Sequence, residues 1–270
     1  MKLPYLIALD LDGTLLDDKK LILEHTKNFL MKLKKAGHKI VLATGRPIRS
    51  FKHYYEQLEL DTPVVAYNGA YVAHPSDKQF KEIAFSFPAQ VVKAIYDDVG
   101  PKYIDNIMCE TNQHIWLIKE DNDLDSFFWH KNMNIILGDI RKTLTENPMT
   151  MIIKSIHRNA FSDQLIKKAV KKHAGLKLRF WGDSPFSEIY YSRISKASGL
   201  KTILKYYDIP SQRLIVFGDA ENDKEMLKLA RYSFAMLNGN RIAKKSAKKV
   251  TMHSNNDNGI FVELKKLIKL

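Results

Sequence analysis

The N-terminal third of the chain alternates short apolar segments with segments of helical apolar spacing, and this alternation most constrains the fold. The apolar segments Pro4–Leu11, Lys39–Ala43 and Pro63–Ala66 have the length and composition of buried strands. The segments between them, Leu21–Ala36 and Pro47–Leu60, place apolar residues on one helical face. Strands that alternate with helices predict a parallel sheet with right-handed crossovers.

Polar side chains stand at the carboxyl end of each predicted strand: Asp10, Thr44 and Asn68. Asp10 and Asp12 point the same way, because a strand turns alternate side chains to one face. Ligands of open parallel sheets bind beyond these strand ends. Two adjacent carboxylates are costly to desolvate, so the pair predicts a cation that the sequence does not supply. For the pair alone, the alternative is an ordinary Asp-rich turn.

The pattern changes after about Phe85, where a helix is followed by two alternating strands, and this unit occurs twice. The predicted elements are Pro88–Val99, Tyr103–Glu110 and His114–Lys119, then Ala160–His173, Lys177–Trp181 and Ser187–Tyr191. A helix near Asp121–Asn132 and a strand at Met149–Ile156 lie between them. We therefore predict an α/β core from residues 1–85 and 190–270, and an inserted α+β domain from residues 86–189.

The strand–helix rhythm resumes with a helix at Ser195–Tyr207 and a strand at Arg213–Phe217. Asp219 follows that strand as Asp10 follows the first one. Asp10, Asp12 and Asp219 together would form a site of hard oxygen ligands, which suits Mg²⁺. Asp223 lies at a predicted helix start, where a carboxylate also serves as a simple cap.

The amino-acid composition indicates which binding partners and which cellular compartment to expect. The formal charge is +13 and the isoelectric point is near 9.5, which suits anionic substrates or a polyanion. The basic residues are dispersed, with clusters at Lys32–Lys35, Lys167–Lys172 and Arg241–Lys249 that fit solvent-facing helix surfaces, so nucleic-acid binding is a remote alternative. The single Cys109 and the absence of a long apolar stretch predict a soluble cytoplasmic protein without membrane partners.

Four short motifs resemble those of the haloacid dehalogenase superfamily. They are DLDGT at Asp10–Thr14, TGR at Thr44–Arg46, a lysine at Lys196 and GDAEND at Gly218–Asp223. The segment inserted after the third strand is similar to the cap of the Cof-type sugar-phosphatase branch. The resemblance covers the whole chain, and it implies a Rossmann-like core with a large α+β cap.

The resemblance also implies roles for single residues. Asp10 would be the nucleophile that forms an aspartyl-phosphate, and Asp12 the acid and then the base. Because a free Asp has a pKa of about 3.9, we expect partial burial and the neighbouring Asp10 to raise the pKa of Asp12. Phosphate would be bound by four residues: Thr44, Gly45, Lys196 and Asn222.

The metal implied is Mg²⁺, held by Asp10, the main chain of Asp12, Asp219 and Asp223. Arg46 and Asn68 are candidate substrate contacts, and Arg46 could instead pair with an acid of the core. Asp223 could equally orient Lys196.

Two departures from the family pattern stand out. Ala220 occupies a position that is often polar, and Ser195–Leu200 replaces the usual Lys-Gly-x-Ala-Leu segment.

The leading hypothesis is a Mg²⁺-dependent phosphatase for small phosphorylated metabolites, with sugar phosphates ahead of nucleotides and pyridoxal phosphate. A phosphomutase with the same intermediate is the nearest alternative. A DxD-type glycosyltransferase would leave Asp219 and Lys196 unexplained. In the inserted domain, substrate selection could involve residues of the predicted hairpins, none of them singled out: His114, Trp116, Arg179, Trp181 and Glu188.

Overall fold

The protein, described from a computed structural model over residues 4–128 and 133–269, divides into two compact units. The first unit combines Met1–Ile83 with Ser195–Leu270, and the second is Ala84–Ile194. The first unit is thus built from two separate stretches of chain. The inserted unit is slightly longer than the predicted segment 86–189.

The described residues form fourteen strands and ten α-helices. The strands are β1 (Leu6–Leu9), β2 (Lys39–Leu42), β3 (Val64–Ala66), β4 (Tyr71–Ala73), β5 (Ile83–Ala84), β6 (Ile104–Glu110), β7 (His114–Leu117), β8 (Asn134–Leu137), β9 (Thr150–Ser155), β10 (Leu176–Phe180), β11 (Phe186–Tyr191), β12 (Leu214–Gly218), β13 (Tyr232–Ala235) and β14 (Lys249–Val250). The helices are α1 (Glu24–Lys35), α2 (Ile48–Gln57), α3 (Ala89–Val99), α4 (Asn122–Phe128), α5 (Ile140–Thr143), α6 (Ala160–Lys171), α7 (Lys196–Tyr206), α8 (Lys224–Leu229), α9 (Arg241–Ser246) and α10 (Gly259–Leu267). Across the described ranges, none of these helices is long and apolar enough to span a bilayer.

The first unit is organised around a five-stranded parallel sheet with the order β14-β13-β12-β1-β2. Strand β1, which lies between β12 and β2, is buried along its whole length, as its apolar sequence predicts. Leu9 of β1 lies opposite Phe217 of β12, so the two strands end side by side. This register brings Asp10 and Asp219 to the same edge of the sheet.

Helices of the second stretch of chain cover one face of this sheet. Leu200 of α7, Met226 of α8 and Ala243 of α9 share a core with Leu6 and Val216 of the strands. Burial of such aliphatic side chains stabilises the unit by about 1.5–3 kcal/mol for each large residue. The core therefore fixes α7, and with it Lys196, against the central strands.

Strand β3 departs from the sequence prediction of a third parallel strand. It pairs antiparallel with β4 in a separate three-stranded sheet, and a single parallel bridge, Ala43 to Val65, links it to the main sheet. The reason is the sharp turn that follows it. Tyr67, Asn68 and Gly69 have φ angles of 48°, 54° and 100°, which reverse the chain at once instead of leading into a crossover helix.

The second unit is a six-stranded sheet with the order β10-β11-β9-β6-β7-β8. Its pairs are antiparallel except that β7 and β8 run parallel. Helices α3 and α6 pack against each other, and their apolar residues share a core with those of the sheet. The sequence did not predict β8 or α5. The predicted helix Asp121–Asn132 corresponds to α4 as far as Phe128, and its last four residues lie outside the described residues.

Candidate active site

A buried ion-pair cluster occupies the carboxyl end of β1. Lys196 Nζ lies 2.5 Å from Asp10 Oδ1 and 2.6 Å from Asp223 Oδ1, and the side chains of Lys196 and Asp223 are fully buried. Lys196 is the first residue of α7, a position where the helix dipole disfavours a cation. The two carboxylates compensate for that position and for the loss of water around the ammonium group.

The start of α7 is ordered by its own sequence. Ser195 and Ser198 form a reciprocal capping box, in which each hydroxyl accepts from the other residue's backbone N–H. Gly199 lets the helix approach the sheet, because a Cβ there would lie 2.7 Å from Val65. The segment that departs from the family pattern thus begins a regular helix with Lys196 at its first position.

Asp219 joins this cluster from the end of β12. Its Oδ1 accepts a 2.8 Å hydrogen bond from the Thr14 hydroxyl. Gly13 allows the close approach, because a Cβ there would stand 2.6 Å from Asp219 Oδ2. Carboxylate oxygens of Asp10, Asp219 and Asp223 lie within 4.8 Å of one another, a set of ligands that could hold a metal ion.

The charges of this group do not balance without a cation. Three carboxylates face the single ammonium of Lys196, which leaves an excess of two negative charges (3 − 1) when all are ionised. Burial and the nearby carboxylates of Asp223 and Asp219 raise the pKa of Asp10, and Lys196 opposes them. Burial, helped by Asp223, raises the pKa of Asp219 to about 6. Hard oxygen ligands with two excess charges fit a divalent cation such as Mg²⁺.

Asp223 also organises the loop that carries Asp219. Its Oδ2 accepts the backbone N–H groups of Asp219 at 2.8 Å and Ala220 at 3.0 Å, while its Oδ1 faces Lys196. It therefore orients Lys196, one of the two roles predicted for it, and it also lies in the candidate metal group. Ala220 contributes its backbone here, so a polar side chain is not needed for this loop contact.

Asp12 is held by two cations. Arg46 donates from Nε to Oδ2 at 2.6 Å and from an Nη to Oδ1 at 2.5 Å, and Lys20 Nζ reaches Oδ1 at 2.7 Å. Burial would raise the pKa of Asp12, but the hydrogen bonds and charges of Arg46 and Lys20 outweigh it and lower the pKa. The sequence prediction of a raised pKa is wrong for this arrangement, because the fold brings Arg46 and Lys20 against the Asp12 carboxylate.

The remaining predicted phosphate ligands lie around the turn after β3. Thr44 is buried, and its hydroxyl accepts the Arg46 N–H at 3.1 Å. Gly45 passes close to the Asn68 amide, 3.1 Å from where a Cβ would stand. Asn222 donates from Nδ2 to Asn68 Oδ1 at 2.9 Å. The structure thus joins the TGR loop and the GDAEND loop through Asn68.

The candidates of the second unit have contacts of their own. Trp116 is fully buried in the core shared with α3 and α6. His114 lies 3.0 Å from Glu146, and Arg179 pairs with Glu188 at 2.6 Å. Trp181 packs beside a smaller cluster on the sheet. Trp116 is consequently a core residue, whereas His114 is partly exposed and Glu188 is buried in its pair with Arg179.

Sequence reasoning missed three contributors to this site: Thr14, Lys20 and Tyr54. Tyr54 donates its hydroxyl to the Lys20 carbonyl at 2.7 Å, and Lys20 has a left-handed φ of 62°. Thr14 belongs to the DLDGT motif, so its position was available as a signal. No signal in the sequence identified Lys20 or Tyr54, because their contacts depend on how the loop after β1 folds over α2.

Comparison with known proteins identifies the family of this chain. The family model for haloacid dehalogenase-like hydrolases matches residues 7–264. The 5-amino-6-(5-phospho-D-ribitylamino)uracil phosphatase YitU of Bacillus subtilis is 36% identical over 267 residues, which cover 99% of this chain and 98% of that protein. The Escherichia coli phosphatase YbjI, named for the same compound, is 26% identical over 279 residues, 98% of this chain and 96% of its own.

A solved structure shows the same fold. The haloacid dehalogenase-like hydrolase from Bacteroides thetaiotaomicron superposes with a TM-score of 0.80 at 22% identity, over 98% of this chain and 100% of that one. The family match spans both described units. The chain therefore belongs to the haloacid dehalogenase-like hydrolases, in their Cof-type branch, and it is an enzyme of the phosphatase class.

Proposed function

We propose that the protein is a Mg²⁺-dependent phosphatase that hydrolyses small phosphorylated metabolites through an aspartyl-phosphate on Asp10. The observation that carries this proposal is the buried Asp10–Lys196–Asp223 cluster at the end of β1, with Asp219 beside it. The cluster offers a carboxylate nucleophile next to a fixed cation. Transfer of a phosphoryl group to a side chain requires both a nucleophile and a cation that offsets the phosphate charge.

The ligands for Mg²⁺ would be the carboxylates of Asp10, Asp219 and Asp223, together with the main-chain carbonyl of Asp12. When bound, the ion would neutralise negative charge on the phosphoryl oxygens and help to orient the phosphate. The two excess negative charges of the carboxylate group support a divalent ion over a monovalent one.

Each proposed step uses groups of this chain. An Asp10 oxygen attacks phosphorus, and the new O–P bond forms as the bond to the substrate oxygen breaks. Asp12, protonated at that stage, gives its proton to the leaving oxygen. Its carboxylate then takes a proton from the water that attacks the phosphorus of the aspartyl-phosphate. The Asp10 O–P bond breaks as the new bond forms, which releases inorganic phosphate and restores the Asp10 carboxylate. Lys196 offsets charge on the transferring group. Arg46 and Lys20 favour the carboxylate form of Asp12, which is the form required in the second half.

For the substrate, we propose a phosphate ester of a sugar or sugar alcohol. The two relatives named above are called phosphatases of a ribitylamino-uracil phosphate, which joins a sugar alcohol phosphate to a pyrimidine. Purified protein with Mg²⁺ should release inorganic phosphate from this compound or from hexose phosphates, faster than from nucleotides or pyridoxal phosphate. An Asp10→Asn variant should lose at least about 10³-fold in kcat. Near-wild-type release by that variant would contradict the proposal.

We further propose that the second unit, Ala84–Ile194, acts as a cap that selects the substrate. The proposed chemical groups all belong to the first unit, and in the proposed mechanism they would contact only a phosphate and a leaving oxygen. Exchange of residues 84–194 for the matching unit of a related phosphatase should change the order of preferred substrates. Mg²⁺ dependence should stay, and an unchanged order in an active chimera would place selection in the first unit.

A phosphomutase would use the same intermediate and pass the phosphoryl group to a second hydroxyl. The two activities differ in products, so inorganic phosphate should appear in step with substrate loss. Recovery of an isomeric phosphate ester instead would favour the mutase.

For the compartment, we propose the cytoplasm, because the chain has one cysteine, Cys109, and it is buried and free.

A further inference from the structure

We infer that the turn Tyr67–Gly69 is a positioning element for the active site, and that Asn68 acts by orienting the Asn222 amide and not by contacting substrate. This inference rests on the proposed function and on the role that the family resemblance implies for Asn222, which is to bind the phosphate. It differs from the sequence hypothesis, in which Asn68 was itself a substrate contact.

The first support is that Asn68 lies between two loops of the site. Its Oδ1 accepts a 2.9 Å hydrogen bond from Asn222 Nδ2, and its backbone N–H donates to the Thr44 carbonyl at 3.0 Å. The Asn68 amide also packs against Gly45, where a Cβ would stand 3.1 Å away. One residue therefore sets the distance between the TGR loop and the GDAEND loop.

The second support is the backbone of the turn. Tyr67 and Asn68 are consecutive non-glycine residues in the left-handed region, with φ angles of 48° and 54°. Such residues are uncommon, and surrounding contacts must maintain them. Gly69 completes the turn at φ 100°, and a Cβ there would overlap the carbonyl oxygen of Ser195, which caps the helix that begins at Lys196. The turn thus contacts a third loop of the site.

The third support is the donor count of Asn222. A side-chain amide nitrogen has two N–H groups, and the bond to Asn68 uses one of them. With that bond in place the amide plane is fixed, and the second N–H remains for an anionic oxygen. Without it, the amide would rotate and lose this donor for part of the time.

A double-mutant cycle tests the inference. Asn68→Gly removes the amide and keeps a residue that adopts the left-handed backbone, and Asn222→Ala removes the oriented donor. Binding of inorganic phosphate in the presence of Mg²⁺, measured by titration calorimetry, and kcat/KM are determined for both single variants and the double variant. If Asn222→Ala does not fold, Asn222→Ser replaces it in the cycle.

We expect each single variant to bind phosphate about fivefold to tenfold more weakly, the size of one lost hydrogen bond. The double variant should bind phosphate no more weakly than Asn222→Ala, because the inferred effect of Asn68 on phosphate acts through the Asn222 amide. Losses that multiply would show that Asn68 contacts the ligand itself. Wild-type phosphate binding by Asn68→Gly would overturn the inference as well.

The matched control is Asn258→Gly, since Asn258 has a similar left-handed φ of 57° but lies at the start of α10. It should leave phosphate binding unchanged whatever its effect on the melting temperature. A wild-type protein that neither binds phosphate nor hydrolyses esters would overturn the proposed function and this inference together. A wild-type protein that does both, with losses that multiply, would overturn this inference alone.

Discussion

Arg46 and Asp12 form a two-point ion pair, with N–O distances of 2.6 and 2.5 Å. This paired geometry is the strong form of an Arg–carboxylate contact. It joins the loop after β1 to the start of α2, and it holds the proposed acid and base in one orientation. The pair consequently decides which protonation state of Asp12 dominates before substrate binds.

We predict that Arg46→Met moves the pH dependence of kcat to higher pH. Arg46 lowers the pKa of Asp12, so its removal raises that pKa. A general acid is lost as pH rises through its pKa, so the alkaline limb should move upward. The measurement is kcat against pH for the wild type and the variant.

Arg231→Met is the matched control, because Arg231 packs over Tyr232 at the other end of the sheet from the site. Its pH profile should match that of the wild type. If the alkaline limb of the kcat profile does not move in Arg46→Met, protonation of Asp12 does not limit the rate at alkaline pH.

We predict that Lys196→Met destabilises the protein by about 3–5 kcal/mol. The substitution leaves the buried carboxylates of Asp10 and Asp223 without their ammonium partner. Urea unfolding followed by circular dichroism measures the loss. Lys201→Met, at an exposed position on the same helix, should change the free energy of unfolding by less than about 0.5 kcal/mol. Equal stabilities for the two variants would show that the cluster contributes nothing to folding.

We predict that Mg²⁺ raises the melting temperature, and that this effect weakens as pH falls through about 6. Asp219 titrates there in the metal-free protein, and a protonated carboxyl group is a poor ligand for a cation. Thr14→Val should move this transition to higher pH, since the Thr14 hydrogen bond lowers the Asp219 pKa. Thermal unfolding with and without Mg²⁺ across the pH range measures both effects. A Mg²⁺ effect that is flat across pH 6 would contradict the assignment of Asp219.

The strand ends of the site were predictable because they follow from local sequence. Asp10, Thr44 and Asp219 each follow an apolar run, and parallel strands bring such ends to one edge. The alternation of strands and helices also predicted the parallel sheet. Strand β8 was not predicted, because its four residues are too few to show a strand period.

The contacts between side chains could not be predicted in the same way. Lys196 lies 186 residues from Asp10 in the sequence, and the capping box and core that place it are formed only in the folded chain. The pairing of Arg46 with Asp12 depends on the direction of α2, which motif spacing does not give. The predicted shift in the pKa of Asp12 was therefore upward, whereas the structure lowers this pKa.

Phosphoryl transfer to Asp10 is the central claim, and trapping that intermediate tests it most directly. The Asp12→Asn variant is mixed with Mg²⁺ and a phosphate ester that the wild type hydrolyses, and the reaction is quenched with acid within the first turnover. Peptide mass spectrometry then locates any phosphoryl group. Asp12→Asn removes the acid of the first step as well as the base of the second. With a phosphate ester whose leaving oxygen needs no proton, only the second step is slowed, so the covalent form should accumulate. We expect one phosphoryl group on the peptide that contains Asp10, and none when Asp10→Asn is added to the variant. A phosphoryl group on another residue, or phosphate release with no phosphorylated peptide at any time, would contradict it.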